Sequence, residues 1–187
     1  AFILIDSVRD MLGAALKYKG YSLNSTDPKQ LKEARDLVLA VKQRSLGFEG
    51  SVGGKNKVLA KAARAAIVYS GEGVRGMNED QETVYFIPQE GSQIWVDNLA
   101  VLAKAPHRDL AEKFLNYLLD AKVGARLSNF TQYSSPNKAA MPFIRPQDLK
   151  NPTTYPPPAI RRKLEFLEDL GSKTRIYDEV WTQVKAR

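Results

Sequence analysis

Cysteine is missing from all 187 residues, which excludes disulfides, cysteine-based zinc sites and thiol catalysis. Histidine occurs once, as His107 beside Pro106, where it reads as the solvated start of a helix. Serine–histidine catalysis is left with one poorly placed base. Long apolar runs are also lacking, and no stretch approaches the roughly 18 residues that a membrane helix needs. The opening Phe2-Ile-Leu-Ile5 is too short for a signal peptide and has neither a basic start nor a small-residue cleavage site. An exported form is expected to have shed its signal. Clustered basic charge is scarce as well: 28 Lys and Arg are interleaved with 21 Asp and Glu, and Arg161-Arg-Lys163 is the longest basic run. Nucleic-acid binders concentrate such residues on one face, so the net charge of +7 does not indicate a nucleic-acid partner.

What is present is ordinary globular material, 43% hydrophobic and 26% charged, sufficient for one or two packed units. The β-branched start at 1–5 predicts a strand, and Asp6-Ser7 then opens a helix from Val8 to Lys19. Pro28 sits at the first position of a second helix, where Leu31, Ala34, Leu37, Val38 and Val41 recur at helical spacing. Beyond the glycine-rich stretch 47–54, residues 57–63 are helix-compatible. Strands are predicted at 64–70, 83–88 and, as the longest strand signal, 93–103. Pro106 opens a further helix with Leu110, Phe114 and Leu118 on one face, followed by another over 121–130. Proline, serine and asparagine dominate 132–158, which predicts a long connection. Two helices, at 159–170 and 173–185, are expected to close the chain. Strands alternating with helices imply an α/β architecture, and no internal repeat is visible.

Two phosphate-type motifs fail on their surroundings. Gly71-Glu-Gly-Val-Arg-Gly76 has dinucleotide-fingerprint spacing, but too few residues separate it from the strand expected at Thr83 for a crossover helix. Gly53-Gly-Lys55-Asn56 lacks the upstream glycine, since Glu49 stands there, and the Ser or Thr that must follow the lysine. No cofactor and no metal is expected.

Trp95 and Asp97 are stronger candidates, because residues two apart on a strand point to the same side. A ring face and a carboxylate together suit an organic ammonium: the ring attracts the cation and its methylenes, and the carboxylate accepts its N–H groups. A core tryptophan and a chain-turning aspartate would look the same, and the residues alone leave both open. Asp6 and Asp10 lie four apart at the start of the first helix, on one face. The Ser7-Val-Arg-Asp10 spacing favours a capping role for Asp10 over a ligand role. Tyr69, beside a glycine turn, and Tyr133, in a Ser/Pro-rich loop, each offer a ring and a hydroxyl, though most such tyrosines pack.

Taken together, the stretches 13–28, 67–71, 88–100, 114–119, 133–140 and 176–181 resemble, in order, the spermidine/putrescine-binding proteins of ABC importers. The resemblance implies the type II periplasmic-binding-protein fold, in which two α/β lobes hold a polyamine between aromatic rings and carboxylates. It places Trp95 and Asp97 on family ligand positions, Asp10 on an acidic one and Tyr133 on a tyrosine. Tyr69 stands where a close relative has tryptophan. Ser7 replaces a second ligand aspartate, with Asp6 as a neighbouring stand-in, and Leu167 lies near an expected glutamine contact. Fewer carboxylates suit a diamine such as putrescine as well as spermidine.

By the same resemblance the chain corresponds to a C-terminal half. Residues 1–94 and 141–187 would form most of the second lobe, and 95–140 would belong with the first lobe, whose N-terminal portion is missing. That middle portion is expected to expose apolar surface and to associate with the missing half or another copy. The implied function is extracytoplasmic, periplasmic capture of a polyamine and delivery to the membrane permease of an ATP-driven importer, with no catalysis. Alternative readings are the same fold tuned to another solute, or a non-binding interaction domain. The tyrosine pair that an iron binder would need is absent as adjacent residues.

Overall fold

The structure, a computed structural model, describes residues 1–186. The chain divides into two compact units, one made of Ala1–Trp95 with the segment from Pro158 onward, the other of Val96–Pro157.

The first unit is built around strand β1 (Phe2–Ile5), the middle strand of a parallel sheet ordered β2-β1-β3, with β2 at Phe48–Glu49 and β3 at Ala65–Ala66. Ile3, Leu4 and Ile5 are all buried, the expected pattern for a parallel strand covered on both faces. Helices α1 (Val8–Tyr18) and α2 (Pro28–Lys42) follow, and α9 (Thr174–Ala186) packs against both. Helix α2 starts where the sequence indicates: Pro28 occupies its first turn, and Asp27 accepts from the Gln30 amide at 2.9 Å. Its buried stripe is Leu31, Ala34 and Val38, which meets Leu12, Leu16, Tyr177 and Val184 in one cluster. Burying each such leucine is worth about 1.5–3 kcal/mol.

Helices α3 (Ser51–Leu59) and α4 (Ser70–Glu79) follow β2 and β3, then comes β4 (Ser92–Ile94). After the second unit, the one-turn helix α8 (Pro158–Arg161) leads into β5 (Leu164–Phe166), which pairs in parallel with β4.

Several segments differ from their predicted structure. The expected strand at 93–103 is reduced to β4, because a strand needs a partner: β4 pairs with β5, whereas 95–103 meets no strand among the described residues. Trp95 and Asp97 therefore lie beyond the strand, and the alternation argument does not apply to them as a pair. The helix expected at 159–170 is a single turn followed by β5. Its Leu164-Glu-Phe166 has the alternative of main-chain pairing with β4, and the Leu167 amide extends the ladder to the Ile94 carbonyl at 3.0 Å. Residues 83–88 form no strand. Both glycine-rich stretches are helical, Gly53 and Gly54 in α3 and 71–76 in α4. Helical glycine costs about 1 kcal/mol, but a Cβ on Gly54 would stand 3.2 Å from Ala66 and Val68 side chains, and one on Gly73 would collide with the Tyr85 ring. Close packing explains why glycine is used there.

The second unit comprises α5 (Arg108–Leu119), α6 (Ala121–Thr131), a 3₁₀ segment at Lys138–Phe143 and the one-turn helix α7 (Pro146–Leu149). Asp120 caps α6 by accepting from the Lys122 and Val123 amides. Its core is small: Ala125, Ala140 and Ile144, with Met141, Leu149 and Tyr155 against them. Residues 141–157 thus pack with the helices before them, and this compact unit extends past position 140, the boundary that the resemblance implies. Helix α5 has no buried residue, and Leu110, Phe114, Tyr117 and Phe130 stand 57%, 57%, 56% and 82% exposed. No described helix is long and apolar enough to cross a membrane.

Candidate functional site

Three elements of the first unit converge on Asp10. Helix α1 carries this aspartate in its first turn, where the positive end of the helix dipole favours a carboxylate. Tyr69 immediately precedes α4 as its N-cap, fixed in an extended conformation by its amide, which donates to Ser51 Oγ at 2.8 Å. Its hydroxyl donates to Asp10 Oδ2 at 2.6 Å. From β4, the Gln93 side-chain amide donates to Asp10 Oδ1. Trp95, one residue beyond β4, meets the Tyr69 ring edge-to-face at 5.0 Å and 68°, and it retains 37% exposure.

The capping role is overturned. Ser7 makes no side-chain cap bond, and both Asp10 oxygens are directed to Tyr69 and Gln93 instead. The electrostatic consequence is specific. Asp6, Glu49, Glu72 and Glu165 each face a lysine or arginine, whereas Asp10 is held by two neutral donors and meets no cationic side chain among the described residues. Among the described residues no cation compensates its charge, and the Tyr69 side chain bonded to it packs against Trp95. A carboxylate with about four lone-pair sites keeps two for another donor, and an ammonium there gains charge-assisted hydrogen bonds plus attraction to the ring faces.

Asp6 does not join this cluster. It is exposed and accepts from Lys185 Nζ at 3.0 Å, an ammonium that also sits 4.6 Å from the Phe48 ring and 5.6 Å from the Trp181 ring. Its negative charge is met within the chain, which argues against Asp6 replacing the aspartate missing at Ser7. Asp97 and Tyr133 belong to the second unit. Asp97 is exposed, and Tyr133 is half-buried, its carbonyl accepting from Ser128 Oγ at 2.5 Å. Leu167 continues the backbone ladder after β5. Sequence reasoning missed Gln93, although its position two residues before Trp95 was the available signal.

The second unit also carries an open groove of about 570 Å³ lined by Tyr117, Leu118, Val123, Arg126, Leu127, Asn129 and Phe130. It is apolar, its one charge is positive, and it contains none of the candidate residues, so it is unsuited to an organic cation. No metal-binding cluster of His, Cys, Asp and Glu occurs among the described residues.

A parallel sheet between helices, a second unit inserted after β4, and a carboxylate held by two neutral donors near aromatic rings are the features of an α/β chain with a candidate small-molecule site. The chain belongs to the family of bacterial extracellular solute-binding proteins, whose family model matches residues 2–157. It is 31% identical over 191 residues to the putrescine/cadaverine-binding protein of Pseudomonas aeruginosa, covering 98% of this chain and 54% of that one. It is 27% identical over 186 residues to the spermidine/putrescine-binding periplasmic protein of Escherichia coli, covering 100% and 53%. A solved Listeria monocytogenes structure, provisionally named a spermidine/putrescine ABC transporter, superimposes with a TM-score of 0.91 at 29% identity, covering 98% of this chain and 57% of that one. The chain thus spans about half the length of the curated relatives it matches. These relatives are solute-binding transport proteins, not enzymes, and the resemblance read from the sequence agrees with them.

Proposed function

We propose that this chain contributes to binding a polyamine outside the cytoplasm, with Asp10 as the carboxylate partner of a ligand ammonium and Tyr69 and Trp95 as the aromatic wall for its methylenes. The observation that carries the reading is the Asp10 carboxylate, fixed by the Tyr69 hydroxyl and the Gln93 amide yet met by no cation among the described residues. The names of its relatives support the ligand class. Asp97 and Tyr133 are proposed as further ligand residues, and so are capture between two lobes, delivery to the permease of an ATP-driven importer, and association of this chain with a complementary segment or another copy.

Diamines suit the site as well as spermidine does, because Ser7 and Leu167 bring no charge and Asp6 is taken by Lys185. Calorimetric titration with putrescine and spermidine tests both points. The expectation is affinities within about tenfold of each other, with Asp10→Asn weakening both by about tenfold or more and Trp95→Ala by about fivefold. Unchanged binding in Asp10→Asn overturns the assignment, and a strong preference for the triamine overturns the diamine reading.

A further inference from the structure

We infer that Gln93 is a positioning residue for the ligand-binding carboxylate, which sets the direction of Asp10 and leaves its charge intact without touching the ligand. The inference rests on the cation-site reading given above.

Two observations carry it. First, the Gln93 amide donates to Asp10 Oδ1 while Tyr69 donates to Oδ2, so each oxygen has one fixed partner and the plane of the carboxylate is set from two sides. Second, the other end of the same amide is unsatisfied: Oε1 is buried and has no hydrogen-bond partner among the described residues. Turning the amide over would aim this acceptor at the carboxylate, so the contact with Asp10 dictates its orientation even at the expense of an unpaired oxygen.

The chemical point is neutrality. Lysine or arginine at position 93 would orient Asp10 equally well but would neutralise it, as Lys17 does Glu165 and Lys185 does Asp6. Glutamine orients by hydrogen bonding and leaves the negative charge for the ligand. Gln93 also sits on β4, two residues before Trp95, so one short strand presents both the carboxylate's anchor and the aromatic wall.

The test is a ¹⁵N-edited NMR titration of the chain with putrescine dihydrochloride against a chloride-matched control, which reads weak binding as well as strong. It covers wild type, Gln93→Leu, Gln93→Glu and Asp10→Asn. The side-chain amide signals of Gln93 should shift with putrescine, and Gln93→Leu should weaken binding about tenfold with a wild-type-like backbone spectrum. Gln93→Glu keeps the volume but sets a second carboxylate against Asp10, so binding should depend more steeply on pH than that of wild type. A purely structural role predicts instead that Gln93→Leu disturbs the backbone spectrum, rather than weakening binding with the fold intact. Loss of binding in Asp10→Asn with wild-type affinity and pH dependence in both Gln93 variants overturns the role of Gln93 and leaves the cation site standing. If putrescine moves no signal of Asp10, Tyr69 or Trp95 in wild type, the cation site falls and this inference with it.

Discussion

The Arg9 guanidinium lies 4.8 Å above the centre of the Tyr177 ring, and the Tyr177 hydroxyl, at the far end of that ring, donates to the carbonyls of Leu23 at 3.0 Å and Ser25 at 2.7 Å. A fully buried tyrosine of α9 thus holds the loop between α1 and α2 from inside, while an arginine of α1 covers its ring. Burial raises the hydroxyl above the usual tyrosine range, and the nearby Arg9 charge opposes that rise.

Replacing Tyr177 with phenylalanine keeps the ring under Arg9 and removes the bonds to two inward-facing carbonyls. The expected loss is about 1–3 kcal/mol, the cost of leaving buried acceptors without their donor. Urea unfolding followed by far-ultraviolet circular dichroism measures it, and a variant as stable as wild type would refute the tether.

Glu165 gives a pH dependence with a defined sign. Burial works against its charged form, but the Ser22 hydroxyl, the Leu23 amide and the Lys17 ammonium outweigh it and hold the carboxyl below its ordinary value of 4.5. With a lower value in the folded state, the stabilisation is fully present above the unfolded-state value and disappears as pH falls through the folded one. Glu165→Gln should therefore flatten the acid limb of the stability profile below about pH 5. Thermal melts of both proteins across that limb check the prediction, and parallel profiles would contradict it.

Phe114→Ser should be nearly silent for stability. A buried phenylalanine costs about 3–5 kcal/mol when truncated, but Phe114 is 57% exposed on a helix with no buried residue, so the expected change is within about 0.5 kcal/mol. Exposed apolar surface binds hydrophobic dyes, and a Phe114→Ser, Phe130→Ser double variant should lower dye emission. A loss of several kcal/mol would mean that this face is covered in solution.

The elements legible in the sequence were those whose signals are local. Pro28 with its apolar stripe marked α2, the 1–5 run marked β1, and Leu110, Phe114 and Leu118 marked α5. Elements that depend on distant partners were not legible: 95–103 has strand composition without a strand beside it, and Leu164–Phe166 is a strand only because β4 lies next to it. The glycine stretches misled because the structure uses them for close packing in helices, at Gly54 and Gly73, as well as for turns. At the candidate site the residue types were readable but their arrangement was not. Ser7 and Asp10 have capping spacing, and only the approach of Tyr69 and Gln93 from elsewhere in the chain shows what Asp10 does.

The pairing of β4 with β5 sets an order of events during synthesis. Ser92, Gln93 and Ile94 have their register partners at Leu164, Glu165 and Phe166, which leave the ribosome only after all of Val96–Pro157 has been made. On the nascent chain Gln93 and the neighbouring Trp95 lack the support of that strand until it arrives. A polypeptide arrested before Phe166 would therefore carry every candidate ligand residue without the complete strand pairing that braces Gln93 beside Asp10.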